Sequence, residues 1–356
     1  MDYKQKLNEL LLITARESAS DLHIAVGKYP TIRIDSVLIP LTKESVLTKE
    51  DTEGLVLAML SDEQKLRFSQ LKQLDFSYNF EDKARFRVNV FLQRGFMAAA
   101  LRLIPAQIRT IDELGLPTIL HDFARLQQGF VLVVGPAGQG KSTTLAAVLD
   151  EVNHARNDHI ITIEDPIEYQ FAQDRCIISQ REVGQDTTSF HDALRAVLRQ
   201  DPDVLMIGEM RDPETIATAM TAAETGHIVF STLHTNSAAQ TIDRIIDSFS
   251  PEQQGQIISQ LASTLVGIIS QRLVPRLGGG RIPAVEIMLT NPAIRNLIRE
   301  RKIYQIDLVI ETSVQEGMIS LNRSLVGLIK RKEISLEEGE LHSLNPAELR
   351  LLIERS

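Results

Sequence analysis

Gly135-Pro136-Ala137-Gly138-Gln139-Gly140-Lys141-Ser142 matches the phosphate-loop pattern GxxxxGK[ST], and its flanks decide the fold. Before it runs Phe130-Val131-Leu132-Val133-Val134, a continuous apolar, β-branched stretch of the kind that forms a strand buried on both faces. After it, Thr143 to Val152 is rich in Ala and Leu and reads as a helix. Strand, glycine turn and helix N-terminus together make an anion site. Backbone N–H groups wrap a β-phosphate, the helix dipole favours negative charge, Lys141 adds a point charge, and the Ser142 hydroxyl suits Mg²⁺. Residues Gly135 to Thr143 are therefore the expected nucleotide contacts.

Outward from this loop the texture is α/β. Strand-like segments at 130–134, 160–163, 203–207 and 228–232 alternate with helical ones, which predicts a largely parallel sheet from about residue 113. Beyond about 290 the chain reads as mostly helical and increasingly charged. The N-terminal part differs. A helix over 3–19 leads into short alternating segments at 22–26 and 31–34. Two helices near 49–60 and 61–70 follow, and then strands at 74–80, 84–93 and 97–104. This predicts a small α+β domain over 1–105, a linker at 106–112, and an α/β phosphate-loop domain over 113–356 whose helical C-terminal region spans about 290–356.

Composition narrows the function classes. A chain of 356 residues with 43% hydrophobic and 24% charged residues is long enough for two or three domains and ordinary for a globular protein. The balance of 38 basic against 47 acidic residues argues against a nucleic-acid groove as the main surface. Absence of Trp, with 5% aromatics, speaks against base-stacking platforms. One cysteine, Cys176, excludes an internal disulfide and a multi-cysteine zinc site. No apolar run approaches the roughly 20 residues that span a bilayer, and the first helix is too charged for a secretory signal. A cytoplasmic location is the expectation.

A phosphate loop binds; hydrolysis also needs acids for the metal and the attacking water. Asp203-Val204-Leu205-Met206-Ile207-Gly208-Glu209 is an apolar strand ending in a carboxylate, so Glu209 can hold Mg²⁺ directly or through water. Ile161-Thr162-Ile163-Glu164-Asp165-Pro166-Ile167-Glu168 is another, with Glu164 placed to polarise water. Both lie where α/β chemistry sits, at strand C-terminal ends. Taken without the loop, either acid reads as well as a cap or a solvated turn residue. His234 ends the strand-like stretch His227-Ile228-Val229-Phe230-Ser231-Thr232-Leu233-His234. It can donate to a γ-phosphate, although residue chemistry alone favours a structural histidine. Arg87 and Arg102 fall on neighbouring predicted strands and can act as fingers on phosphate or simply line an exposed sheet face.

Together these stretches resemble the secretion and type IV pilus ATPase superfamily. The matching residues are the phosphate loop, Ile161 to Glu168, Leu198-Arg199-Gln200-Asp201-Pro202-Asp203 running into Glu209-Met210-Arg211-Asp212, and Ser231-Thr232-Leu233-His234-Thr235-Asn236. Within it the chain looks most like the pilus-retraction branch. Its N-terminal region is short, it lacks a four-cysteine insertion, and Ala293-Ile294-Arg295-Asn296-Leu297-Ile298-Arg299-Glu300 is similar to a motif of retraction ATPases. The resemblance implies a RecA-like core behind a PAS-like N-terminal domain, assembled as a homohexamer. It further implies ATP and Mg²⁺ as ligands, and Arg87, Arg102 and His234 acting at phosphate. An inner-membrane platform protein would be the direct partner at the cytoplasmic face, with pilins engaged indirectly. An accessory retraction motor, a secretion-system ATPase and a non-catalytic nucleotide-dependent scaffold are the alternatives. The chain departs from the family at Ala137 and Gln139, commonly Thr and Ser, at Gln93-Arg94-Gly95, at Glu316-Gly317-Met318-Ile319-Ser320 and over the tail 333–356.

Overall fold

The computed structural model describes residues 2–17, 19–34, 37–80, 84–104 and 107–354. The chain divides into two compact units, 1–107 with 166–170, and 108–165 with 171–356. Pro105, where the first domain was expected to close, and Ala106, the expected start of the linker, lie outside the described residues. The short segment Pro166–Gln170 groups with the first unit, which local sequence texture does not announce.

Among the described residues the first unit holds a six-stranded antiparallel sheet ordered β3-β2-β1-β6-β5-β4. The strands are β1 (Asp21–Ile24), β2 (Thr31–Ile34), β3 (Val37–Pro40), β4 (Gln73–Phe80), β5 (Ala84–Gln93) and β6 (Phe96–Ile104). Helices α1 (Tyr3–Arg16), α2 (Lys49–Leu57) and α3 (Asp62–Leu71) complete it. In β5, Phe86, Val88 and Val90 are buried at every second position, the alternation of a sheet covered on one face. They join Leu7, Leu10 and Leu11 of α1 in one core. Helices α2 and α3 start in capping boxes at Thr48–Asp51 and Ser61–Gln64, which satisfy backbone donors at both helix starts.

The second unit is built on a seven-stranded sheet ordered β13-β12-β7-β11-β10-β8-β9, parallel except at β13. Its strands are β7 (Gly129–Val134), β8 (His159–Glu164), β9 (Ile177–Glu182), β10 (Val204–Ile207), β11 (Ile228–Leu233), β12 (Leu265–Pro275) and β13 (Arg281–Leu289). The first helices are α4 (Leu120–Arg125), α5 (Lys141–Ala155), α6 (Phe190–Val197), α7 (Pro213–Glu224), α8 (Ala238–Asp247) and α9 (Pro251–Thr264). Every residue of β7 and β11 is buried, as continuous apolar strands between helical layers must be.

Three strands beyond the four anticipated appear here. β9 is a polar edge strand, Ile-Ile-Ser-Gln-Arg-Glu, with no apolar run to mark it. β12 follows α9 with no intervening turn residue, and Ser270-Gln271-Arg272 interrupts its apolar run. β13 pairs with β12 as a hairpin across the glycines 278–280.

The remaining helices are α10 (Pro292–Arg299), α11 (Ile306–Thr312), α12 (Leu321–Lys330), α13 (Leu336–His342) and α14 (Pro346–Glu354). Asn291 caps α10 by accepting from the Ile294 N–H, and Pro292 fills the first turn. Ile294 and Ile298 are buried in the main core, while Arg295, Asn296 and Arg299 are exposed. Helix α12 packs against the hairpin through Leu325, Val274 and Ala284, and Leu349 of α14 closes that cluster. No helix among the described residues is long and apolar enough to cross a membrane.

Candidate active site

The phosphate loop leaves β7 at Gly135 and enters α5 at Lys141. Its back wall is β12. A Cβ on Gly135 (φ +147°) would lie 2.4 Å from the Gln271 carbonyl oxygen. A Cβ on Gly140 (φ +80°) would lie 2.8 Å from Gln271 Nε2. Both sites therefore demand glycine, for handedness and for close approach. Lys141 is buried; its ammonium donates to the carbonyls of Gly135 at 2.8 Å and Pro136 at 2.9 Å. Ser142 and Thr143 follow in the first turn of α5, where unsatisfied N–H groups and the helix dipole favour an anion.

The expected acids and the histidine arrive from the neighbouring strands. Glu164 is the last residue of β8 and is buried; Thr162 Oγ1 donates to its Oε1 at 2.7 Å and Gln180 Nε2 at 3.2 Å. Gly208, just past β10, donates its N–H to the Ile163 carbonyl at 2.8 Å. Its own carbonyl accepts from Thr232 Oγ1 at 2.7 Å. Those two bonds tie the ends of β8, β10 and β11 together and hold Glu209 in place. Glu209 pairs with Arg211 at 2.5 Å and lies 3.8 Å from His234 Nε2.

His234 stands between opposite charges. Its Nδ1 is 3.4 Å from Lys141 Nζ. An ammonium carries no acceptor, so Nδ1 presents its lone pair and the ring proton sits on Nε2, toward Glu209. Burial and then the Lys141 charge push its pKa below the ordinary histidine range, against the opposing pull of Glu209. The side chain is thus a neutral donor at neutral pH.

Gly135, His234, Glu209 and Glu164 emerge from the C-terminal ends of β7, β11, β10 and β8, which are consecutive neighbours in the sheet. That edge is where open α/β sheets place their ligands. Arg87 and Arg102 belong to the first unit, directly opposite one another in the β5–β6 register. Arg87 Nη1 is 3.4 Å from Glu168 Oε1, and Arg102 Nε donates to Asp21 Oδ1 at 3.1 Å.

One participant escaped the sequence reading. Gln271 of β12, 2% exposed, donates from Nε2 to the Gln139 carbonyl at 2.7 Å and accepts from Thr144 Oγ1 at 2.7 Å. Gln139 returns the contact, its Oε1 accepting from the Leu273 N–H at 2.6 Å. The signal available was the polar Ser270-Gln271-Arg272 inside an apolar stretch. A polar residue there must have found partners to be buried.

The chain has relatives over nearly its whole length. It is 45% identical over 333 residues to the type IV pilus retraction ATPase PilT of Pseudomonas aeruginosa, covering 94% of this chain and 96% of that one. It is 44% identical over 300 residues to a twitching motility protein of Neisseria gonorrhoeae, covering 84% and 80%. A crystal structure of the pilus retraction motor PilT with bound ADP superposes with a TM-score of 0.90 at 47% identity, covering 97% and 98%. The family model described as type II/IV secretion system protein matches residues 3–279. With the phosphate loop, both strand-end acids and the histidine inside that span, the chain belongs to the type II/IV secretion system protein family.

Proposed function

We propose that the chain is an ATPase motor that hydrolyses Mg-ATP to drive retraction of type IV pili. The observation that carries this is the line of Lys141, His234, Glu209 and Glu164 along the ends of four adjacent strands. The near-full-length similarity to the Pseudomonas retraction ATPase supports the motor reading.

The residues present suit a nucleotide triphosphate. Gly135 and Gly140 let the loop lie against β12 where a Cβ would clash, and α5 directs its N-terminus to the loop. Lys141, held near His234 by loop carbonyls, supplies the cation. Ser142 and Glu209 offer hard oxygen donors of the kind Mg²⁺ takes beside phosphate oxygens. Bound there, Mg²⁺ would neutralise charge on those oxygens.

The protein's own work is positioning. Glu164, fixed by Thr162 and Gln180, orients and polarises the attacking water. Glu209 serves the metal side, and the Nε2–H of His234 is the donor for a terminal phosphate oxygen. Arg87 and Arg102 act as fingers on phosphate in a homohexamer whose neighbouring subunits supplement one another's sites. Turnover is transmitted through the exposed face of α10 to an inner-membrane platform protein, with pilins engaged through it.

Phosphate release by the purified protein, with and without Mg²⁺, tests the enzymatic part; restoration of twitching in a strain lacking its retraction ATPase tests the motor part. Tight ATP binding by an assembled ring without Mg-dependent release would leave the non-catalytic scaffold instead.

A further inference from the structure

We propose that Gln271 is a positioning residue for this site: its side-chain amide sets which way the Gln139–Gly140 peptide faces, and thereby presents the Gly140 N–H to phosphate. This rests on the ATP-binding reading above and deepens it.

In a trans peptide the carbonyl oxygen and the following N–H point to opposite sides. Gln271 Nε2 anchors the Gln139 oxygen against β12 at 2.7 Å, so the Gly140 N–H is turned away from β12, toward the concave side of the loop. Gly140, at φ +80°, has no Cβ to bias the rotation of that peptide. Something outside the loop has to fix it.

The amide's orientation follows from its partners. The Gln139 carbonyl can only accept, so the NH₂ end must face it, leaving Oε1 to accept from the Thr144 hydroxyl at 2.7 Å. The bond from the Leu273 N–H to the Gln139 side chain ties the same residue a second time to the same strand. Both ends of a buried side chain are spent on the phosphate loop and the first turn of the helix behind it. Phosphate affinity depends on N–H groups aimed before the ligand arrives, so losing the anchor weakens binding of nucleotide rather than slowing the chemical step.

The test uses the purified full chain, titrated with ADP and assayed with Mg-ATP. Gln271→Glu keeps the size and the acceptor for Thr144 but sets an oxygen against the Gln139 carbonyl. The expected result is a rise of about tenfold or more in KM for Mg-ATP and in Kd for ADP, with kcat changed less than about threefold. Thr144→Val breaks only the other end of the amide; it is expected to lower Tm while leaving KM within about twofold. If Gln271→Glu does not fold, Gln271→Met removes the donor without the repulsion and is held to the same split. A folded Gln271 variant with parental KM and Kd would overturn the inference. So would an equal KM rise in Thr144→Val, which would make the residue a packing element, or a fall in kcat at unchanged KM. A parent chain that neither binds ADP nor hydrolyses ATP would instead remove the ATP reading itself, and the positioning role with it.

Discussion

His234 Nδ1 lies 3.4 Å from Lys141 Nζ, although 93 residues separate them in the chain. The strand order joins them: β7 delivers the lysine's loop and β11 the histidine, side by side. A neutral ring is the form that fits beside an ammonium, and this has a consequence for stability.

Because the folded state holds the His234 pKa below its ordinary value, the unfolded chain binds the extra proton first as pH falls. The contribution of this site to stability is therefore intact above the unfolded pKa of about 6.5 and is lost as pH drops from there toward the folded value. His234→Gln should show a smaller drop in Tm between pH 7.5 and 5.5 than the parent, as measured by thermal melts. Parallel pH profiles would remove the assignment.

Glu286 gives the opposite slope. It is buried on β13, accepts from the Ala238 N–H at 2.7 Å, and burial raises its pKa to about 7. The folded chain keeps this proton where the unfolded chain has lost it, so stability falls as pH rises from about 4.5 to 7. Glu286→Gln should stabilise at pH 8 by roughly 1–3 kcal/mol relative to its effect at pH 5, read from denaturant melts.

Lys141→Ala should weaken ATP binding by about a hundredfold or more, since the loop loses its only point charge. Glu209→Ala should retain ATP binding while turnover falls by about two orders of magnitude or more. Equilibrium binding with a labelled nucleotide, beside phosphate release, separates the two. Parental turnover in the Glu209 variant would contradict its assignment.

Arg87 and Arg102 face each other across β5 and β6, each beside a carboxylate. As fingers they should each be needed for turnover, with Arg87→Ala slowing it by at least about tenfold. If they act across subunits, rings mixed from Arg87→Ala and Lys141→Ala chains should recover activity that neither homogeneous ring has. Unchanged kinetics in Arg87→Ala would return the residue to a surface role.

The phosphate loop was legible because its chemistry is local: strand, glycines, lysine and helix are contiguous from Phe130 to Val152. Glu164, Glu209 and His234 were legible because each closes an apolar strand. Their mutual geometry was not, since strand order is a long-range property. Gln271 was missed for a related reason. Its partners Gln139 and Thr144 lie more than 120 residues away, and its strand carries polar residues mid-run. In the sequence Gln139 reads only as a departure from the family's commoner serine, whereas the fold gives its side chain the Leu273 N–H.

On the proposed reading, helix α10 carries mechanical output and takes no part in the chemistry. Ile294 and Ile298 anchor it, and Arg295 and Asn296 stay exposed. Arg295→Ala with Asn296→Ala should therefore leave ATPase activity within about twofold while abolishing twitching, because surface substitutions cost little stability. Normal twitching in that strain would rule out coupling through this face.

The most direct measurement is phosphate release from Mg-ATP by the assembled protein, run beside its Glu209→Ala variant and an EDTA control. Release that requires Mg²⁺ and vanishes in the variant, with ATP still bound, is the predicted outcome. An assembled ring that binds ATP yet releases no phosphate, or a variant that releases it at the parental rate, would contradict the account.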